Sequence, residues 1–172
     1  PLYIPKNIEL IHPCTYGEDI KKIKDADWVI EVVIEDLNIK YKVYDEILPH
    51  LNKTAILSSN TSGIPLVQLT SSLPLDVKER FLITHFFNPP RYMHLLELIK
   101  GEFTSDKTYQ LMVDFCGSVL GKGIVHAKDT PNFIGNRIGV YGLMVSIDLS
   151  LKHGLTIEEV DKLTGPISGR PK

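Results

Sequence analysis

Trp28-Val-Ile-Glu-Val-Val-Ile34 is a nearly continuous β-branched run, interrupted only by Glu31. Such a run suits a strand covered on both faces in a mostly parallel sheet, and it is read as a central strand. The period then changes. Asp36 is placed to cap a helix on which Ile39, Val43, Ile47, Leu48 and Leu51 recur at helical spacing, with Pro49 fraying its end. Ala55-Ile-Leu-Ser58 returns to a short strand, and Ser62-Gly-Ile-Pro65 opens a short helix whose early proline has no N–H to lose. Strand alternating with helix predicts an α/β fold.

Further along, Phe81-Leu-Ile-Thr-His-Phe-Phe87 is a strand ended by Asn88-Pro-Pro90, and Leu95-Leu-Glu-Leu-Ile99 is its hairpin partner. Thr104-Ser-Asp introduces a helix carrying Tyr109, Leu111, Met112, Phe115 and Val119, closed by Gly121 ahead of a last strand, Gly123 to Ala127. Lys128-Asp-Thr-Pro131 is a turn and the expected domain boundary, giving domains 1–128 and 129–172. Beyond it, Phe133 to about Leu151 reads as a long apolar helix. Its glycines, Gly135, Gly139 and Gly142, lower helix propensity and predict a close-packed neighbour. Thr156-Ile-Glu-Glu159 is a capping box for a final helix, and a lone helix pair of this kind cannot bury much apolar surface.

Composition excludes several classes of function. The chain has 172 residues, 43% hydrophobic and 23% charged, enough to build a core and too apolar for wholesale disorder. Its net charge of −2, with no basic stretch interleaved with aromatics, argues against nucleic-acid binding. No apolar run approaches the roughly 20 residues of a membrane span. Pro-Leu-Tyr-Ile-Pro at the start has neither a basic n-region nor an apolar h-region, so no secretory signal is expected. Cys14 and Cys116 lack CxxC partners, which fits a reduced cytoplasmic protein. His12, His50, His94, His126 and His153 have no mutual ligand spacing, so no metal site is expected.

Chemistry concentrates in a few places. The midpoint of residues 85 and 97 is Arg91, inside the Pro-rich turn, so an antiparallel hairpin sets His85 and Glu97 opposite each other on one face. A carboxylate on one imidazole nitrogen fixes the tautomer and leaves the other nitrogen as a base; the bland alternative is a satisfied strand histidine beside a surface glutamate. Ser59-Asn-Thr-Ser-Gly63 lies where a parallel strand gives way to a helix, the edge at which α/β sheets bind ligands. There the ordinary reading is N-capping by Ser62. Asn88 and Asn136 are neutral donors suited to a hydroxyl or carbonyl, or else turn and helix-terminal polarity. Glu35 and Lys40 flank the first strand and its helix, where a ribose hydroxyl or cofactor amide could bind, against a default of solvated charge. Ser62, His85 and Glu97 also have the composition of a hydrolase triad, although Asn-Thr-Ser-Gly-Ile is not the GxSxG elbow that exposes a nucleophilic serine. Gly121-Lys-Gly123 is no dinucleotide fingerprint, because it precedes a strand instead of joining strand to helix.

Taken in chain order, Ser59-Asn-Thr-Ser62, His85-Phe-Phe-Asn-Pro89, Glu97 and Asp129-Thr-Pro-Asn-Phe-Ile-Gly-Asn-Arg137 resemble the L-3-hydroxyacyl-CoA dehydrogenase family. Asn88-Pro-Pro-Arg91 and Thr164-Gly-Pro-Ile-Ser-Gly-Arg-Pro171 are most similar to its long bacterial β-oxidation members, which carry an additional enoyl-CoA hydratase-like region. The resemblance implies a Rossmann-type NAD-binding domain over 1–128, without its first βαβ glycine-rich unit, then the start of an all-helical substrate and dimerisation domain over 129–172. It implies NAD-dependent oxidation of 3-hydroxyacyl-CoA to 3-oxoacyl-CoA. In that reading His85 is the base, Glu97 its partner, Ser62 and Asn136 hold the substrate oxygen, and Glu35, Lys40, Asn60, Ser62 and Asn88 line the NAD site. Asp36 stands where many members have Asn. The resemblance further implies a homo-oligomer or a larger multifunctional chain, and these 172 residues alone are expected to be inactive. The competing classes are a Ser62-His85-Glu97 hydrolase and a non-catalytic relative serving as a binding module.

Overall fold

The computed structural model describes residues 4–165 and Ser168. Most of the Thr164–Pro171 stretch compared above with the bacterial members, and the first three residues of the opening stretch, lie outside the described residues. The chain divides into two compact units, Pro1–Asp129 and Thr130–Lys172.

The first unit is built on five strands: β1 (Trp28–Glu31), β2 (Ile56–Ser59), β3 (Phe81–Phe86), β4 (Leu95–Lys100) and β5 (Gly123–Ala127). They lie side by side in chain order. β1, β2 and β3 are mutually parallel, β4 runs antiparallel to β3, and β5 is parallel to β4. Side-chain alternation splits the sheet into two faces. Leu82, Leu96 and Leu98 pack with Met112 and Cys116 beneath helix α4, which begins with Asp106–Asp114 and runs on as a π-helical turn over Phe115–Val119. Phe81, Ile83 and His85 alternate onto the other face, where Phe81 meets Tyr44 of helix α1 (Leu37–Ile47) edge to face at 6.0 Å. Two single-turn helices, α2 (Leu66–Leu69) and α3 (Leu75–Lys78), complete the connection from β2 to β3.

The local chemistry explains where helices begin. Asp36 accepts a hydrogen bond from the Ile39 amide and starts α1, and Ser105 does the same for α4 through Thr108. Helix α2 breaks the expectation that Ser62 would cap it. It starts four residues later behind Pro65, and the carboxylate of distant Asp129 accepts from the Leu66 amide at 3.0 Å and from Val67 at 3.4 Å.

Two further expectations need correction. β1 covers four residues instead of seven and sits at one edge of the described sheet, not in its centre. Ile30, Val32 and Ile34 are exposed, and the buried Glu31 carboxylate takes the Val33 N–H that a continuing strand would have given to a neighbour. In the second unit, helices α5 (Gly135–His153) and α6 (Ile157–Thr164) form as expected, with the Thr156/Glu159 capping box in place. However, among the described residues a Cβ built on Gly139 or Gly142 meets nothing within 4 Å, so the close-packed neighbour expected at those glycines is not among them. Neither helix buries a residue.

Candidate active site

The site lies at the carboxyl ends of β1, β2 and β3, the edge at which open α/β sheets receive ligands. His85 and Glu97 are direct partners in the antiparallel ladder of β3 and β4. His85 Nδ1 lies 2.7 Å from Glu97 Oε2, with His85 3% and Glu97 0% exposed. A carboxylate can only accept, so Nδ1 donates to Glu97, and in the neutral form of the imidazole Nε2 is an acceptor. Ser62 Oγ stands 3.1 Å from Nε2, where its hydroxyl can donate to that form. Phe87 packs its ring against the imidazole, centroid to centroid 4.6 Å.

Ser62 is placed by a loop held from beneath. One oxygen of Glu35 accepts from the Thr61 hydroxyl and from the amides of Ser62 and Gly63, both at 3.0 Å. Burial pushes the Glu35 carboxyl up, but the hydrogen bonds from Thr61, Gly63 and Ser62, together with the Lys40 charge, outweigh it and hold Glu35 below the usual glutamate range. Its other oxygen is 3.3 Å from Lys40 Nζ. Lys40, set by the resemblance at the NAD site against a default of solvated charge, is 1% exposed: the ammonium is enclosed by Glu31 at 2.8 and 3.0 Å as well as by Glu35. Asn60 ties the same loop to β3, its Oδ1 accepting from the Phe86 amide at 2.8 Å.

The structure thus brings Ser62, His85 and Glu97 into one line and gathers Glu35, Lys40 and Asn60 around the loop that carries Ser62. Asn88 is exposed just past β3, and Asn136 lies in the first turn of α5, in the second unit. Sequence reasoning missed three participants. Glu31 was read only as an interruption of an apolar run, Thr61 as part of a polar cluster, and Tyr44 was not singled out. A lone acid inside a β-branched run is the one signal that could have exposed Glu31, since burying it demands partners. Burial, with the Glu31 charge beside it, pushes the Tyr44 phenol far above its ordinary range, so it remains a neutral donor to that carboxylate at 3.3 Å.

The Ser62-His85-Glu97 line has the order of a hydrolase relay, but the surrounding amides do not serve one. An acyl-transfer site needs backbone N–H groups aimed at a developing oxyanion beside the serine. The amides of Ser62 and Gly63 instead donate to Glu35. Among the described residues, no three His, Cys, Asp or Glu side chains come together as metal ligands.

Parallel strands with a polar set at their carboxyl ends place the first unit in the Rossmann-like α/β class of nucleotide-binding domains. The family model described as 3-hydroxyacyl-CoA dehydrogenase, NAD binding domain, matches residues 5–130, and the chain belongs to that family. It is 48% identical over 172 residues to a Bacillus subtilis (strain 168) protein named a probable 3-hydroxyacyl-CoA dehydrogenase, covering 100% of this chain and 22% of that one. It is 41% identical over 171 residues to a Rickettsia felis protein named as a fatty acid oxidation complex trifunctional enzyme, covering 99% of this chain and 24% of that one. Among solved structures, Mycobacterium tuberculosis FadB2 superposes with a TM-score of 0.78 at 31% identity, over 88% of this chain and 52% of that one. The chain therefore spans less than a quarter of either curated relative. No helix of the described residues is long and apolar enough to cross a membrane.

Proposed function

We propose that the protein carrying this chain oxidises L-3-hydroxyacyl-CoA to 3-oxoacyl-CoA with NAD, as a step of fatty-acid β-oxidation in the cytoplasm. The observation that carries this reading is the line from Ser62 through His85 to Glu97, set at the strand ends of an NAD-binding family domain. Oxidising an alcohol requires a base for the O–H proton, donors that hold the oxygen as it becomes a carbonyl, and an acceptor for the hydride. His85 Nε2 is the base. The positive charge that it acquires is stabilised by Glu97 at Nδ1. Ser62 holds the substrate oxygen; for Asn136, in the first turn of α5, that role rests on the family resemblance alone.

The donor set at the strand ends fits NAD. Ser62, Asn60 and Asn88 offer neutral hydroxyl and amide groups suited to an uncharged carboxamide, and the Asn60 amide nitrogen remains available while its oxygen holds the Phe86 N–H. Glu35 would meet the cofactor at its exposed edge, with Lys40 fixing it from the buried side. When bound, NAD supplies the hydride acceptor. Residues 1–128 act as part of the cofactor domain, and residues 129–172 begin the helical substrate and dimerisation domain, within a homo-oligomer or a larger multifunctional chain.

The second reading, a Ser62-His85-Glu97 hydrolase, is favoured by the same three side chains. One experiment separates the two. The full-length protein is mixed with a 3-hydroxyacyl-CoA with and without NAD, while NADH, free CoA and acylation of Ser62 are followed. NADH and 3-oxoacyl-CoA, formed only when NAD is present, support the dehydrogenase. Free CoA and an acyl adduct on Ser62 without NAD would establish the hydrolase.

A further inference from the structure

We propose that Glu31 is a positioning residue for proton transfer at His85, acting through Lys40, Glu35 and Ser59 on the 61–63 loop; the inference rests on the dehydrogenase reading above. Glu31 is 4% exposed at the end of β1. A buried carboxylate is tolerated only when paired and fully hydrogen-bonded. Of the groups that satisfy Glu31, Lys40 and Ser59 lie on paths toward the loop, the Val33 amide belongs to the strand end, and the Tyr44 hydroxyl comes from α1.

Two arms leave Glu31 and converge. In the first, both Glu31 oxygens hold Lys40 Nζ, which reaches Glu35 at 3.3 Å, and Glu35 binds the loop through Thr61, Ser62 and Gly63. In the second, the Ser59 hydroxyl donates to Glu31 Oε2 at 2.6 Å and accepts from the Thr61 amide at 3.2 Å. Both arms end on the residues flanking Ser62, whose hydroxyl is 3.1 Å from His85 Nε2.

The electrostatics give the arrangement a direction. Lys40 is buried against two carboxylates, which are its counter-ions. With Glu31 ionised, most of that demand is met at 2.8 and 3.0 Å, and Glu35 keeps its other oxygen for the loop. Without the Glu31 charge, Glu35 becomes the only counter-ion and is drawn toward Nζ, away from the amides of Ser62 and Gly63. Ser62 then loses its register against His85. Glu31 thereby divides the labour between the two acids: one neutralises the lysine and the other shapes the loop.

The test uses the full-length protein with the variants Glu31→Gln, Lys40→Met, their double and Ser59→Ala. Turnover with a 3-hydroxyacyl-CoA and NAD is read beside the side-chain 15N resonance of His85, assigned by its loss in His85→Gln. Glu31→Gln is expected to lower kcat about tenfold or more with KM for both substrates held within about threefold, the signature of a lost transition-state alignment. The His85 Nε2 resonance should move, and the Glu31 and Lys40 effects should be non-additive, since the two act as a unit. Wild-type kcat and an unmoved resonance, with His85→Gln inactive, would overturn the proposal. So would a raised KM for NAD at unchanged kcat. If His85→Gln retains turnover, it is the dehydrogenase reading that fails, and the resonance alone decides the positioning role. Should Glu31→Gln lack a cooperative melt, Ser59→Ala removes one arm and spares the ion pair. A smaller shift of the same sign upholds the proposal, and no shift overturns it.

Discussion

His85 and Glu97 are Cα partners across the β3–β4 ladder, and their side chains meet at 2.7 Å on the face where Tyr44 of α1 packs against Phe81. The pair is built into the backbone pairing of two buried strands instead of being borrowed from mobile loops. Its geometry is therefore fixed before any ligand arrives.

Glu97→Gln keeps the shape of the pair but cannot neutralise an imidazolium. Turnover of the full-length protein with 3-hydroxyacyl-CoA should fall by about 10- to 100-fold, with substrate KM little changed. Steady-state kinetics of this variant beside wild type check it, and undiminished kcat would remove Glu97 from the mechanism.

Glu35 couples the loop to acid stability. Its carboxyl is held below its ordinary value of 4.5 in the folded protein, so its favourable contribution is complete above that value and is lost as pH falls through the depressed one. Wild type should therefore lose melting temperature through the acid range more steeply than Glu35→Gln, which has no proton to take up there. Melting curves across that range check it. Parallel pH profiles for the two proteins would show that the loop clamp contributes nothing.

Asp129 ties the start of α2 to a residue more than sixty positions away. Asp129→Ala strips the carboxylate from the Leu66 and Val67 amides and should cost about 1 kcal/mol, the usual worth of a helix cap. Urea denaturation should show a lower midpoint at unchanged slope.

The two cysteines should behave differently. Cys14 is exposed, whereas Cys116 is fully buried and its thiol is pushed up to about 11, chiefly by burial. A thiol reagent at neutral pH should titrate one cysteine in the native protein and both in denaturant. Two fast-reacting thiols in the native state would contradict the packing beneath α4.

The sequence was legible where a single geometric parameter governs the outcome. A hairpin about Arg91 leaves only register to choose, and parity then brings residue 85 to residue 97, as the ladder shows. The capping box at Thr156 and the cap at Asp36 depend on neighbours within a few residues and were equally readable. Strand order was not readable. The Trp28–Ile34 composition is the same whether the strand is central or at an edge, and β1 lies at the edge. Nor was the burial of Lys40, because a lysine in the first turns of a helix is ordinarily solvated. It stays inside because Glu31, itself held by hydroxyls from β2 and α1, pairs with it together with Glu35. Asp129 escaped for the same reason, as capping at a distance of sixty residues leaves no local signature.

The central claim is that His85 takes the substrate proton in an NAD-linked oxidation. It is tested most directly by NADH formation from a 3-hydroxyacyl-CoA in the full-length protein and in His85→Gln, with substrate and NAD affinities measured alongside. The account predicts a fall of about 100- to 10,000-fold in kcat, the usual worth of general acid–base catalysis, with both affinities nearly unchanged. Near-normal turnover in His85→Gln at neutral pH would contradict it.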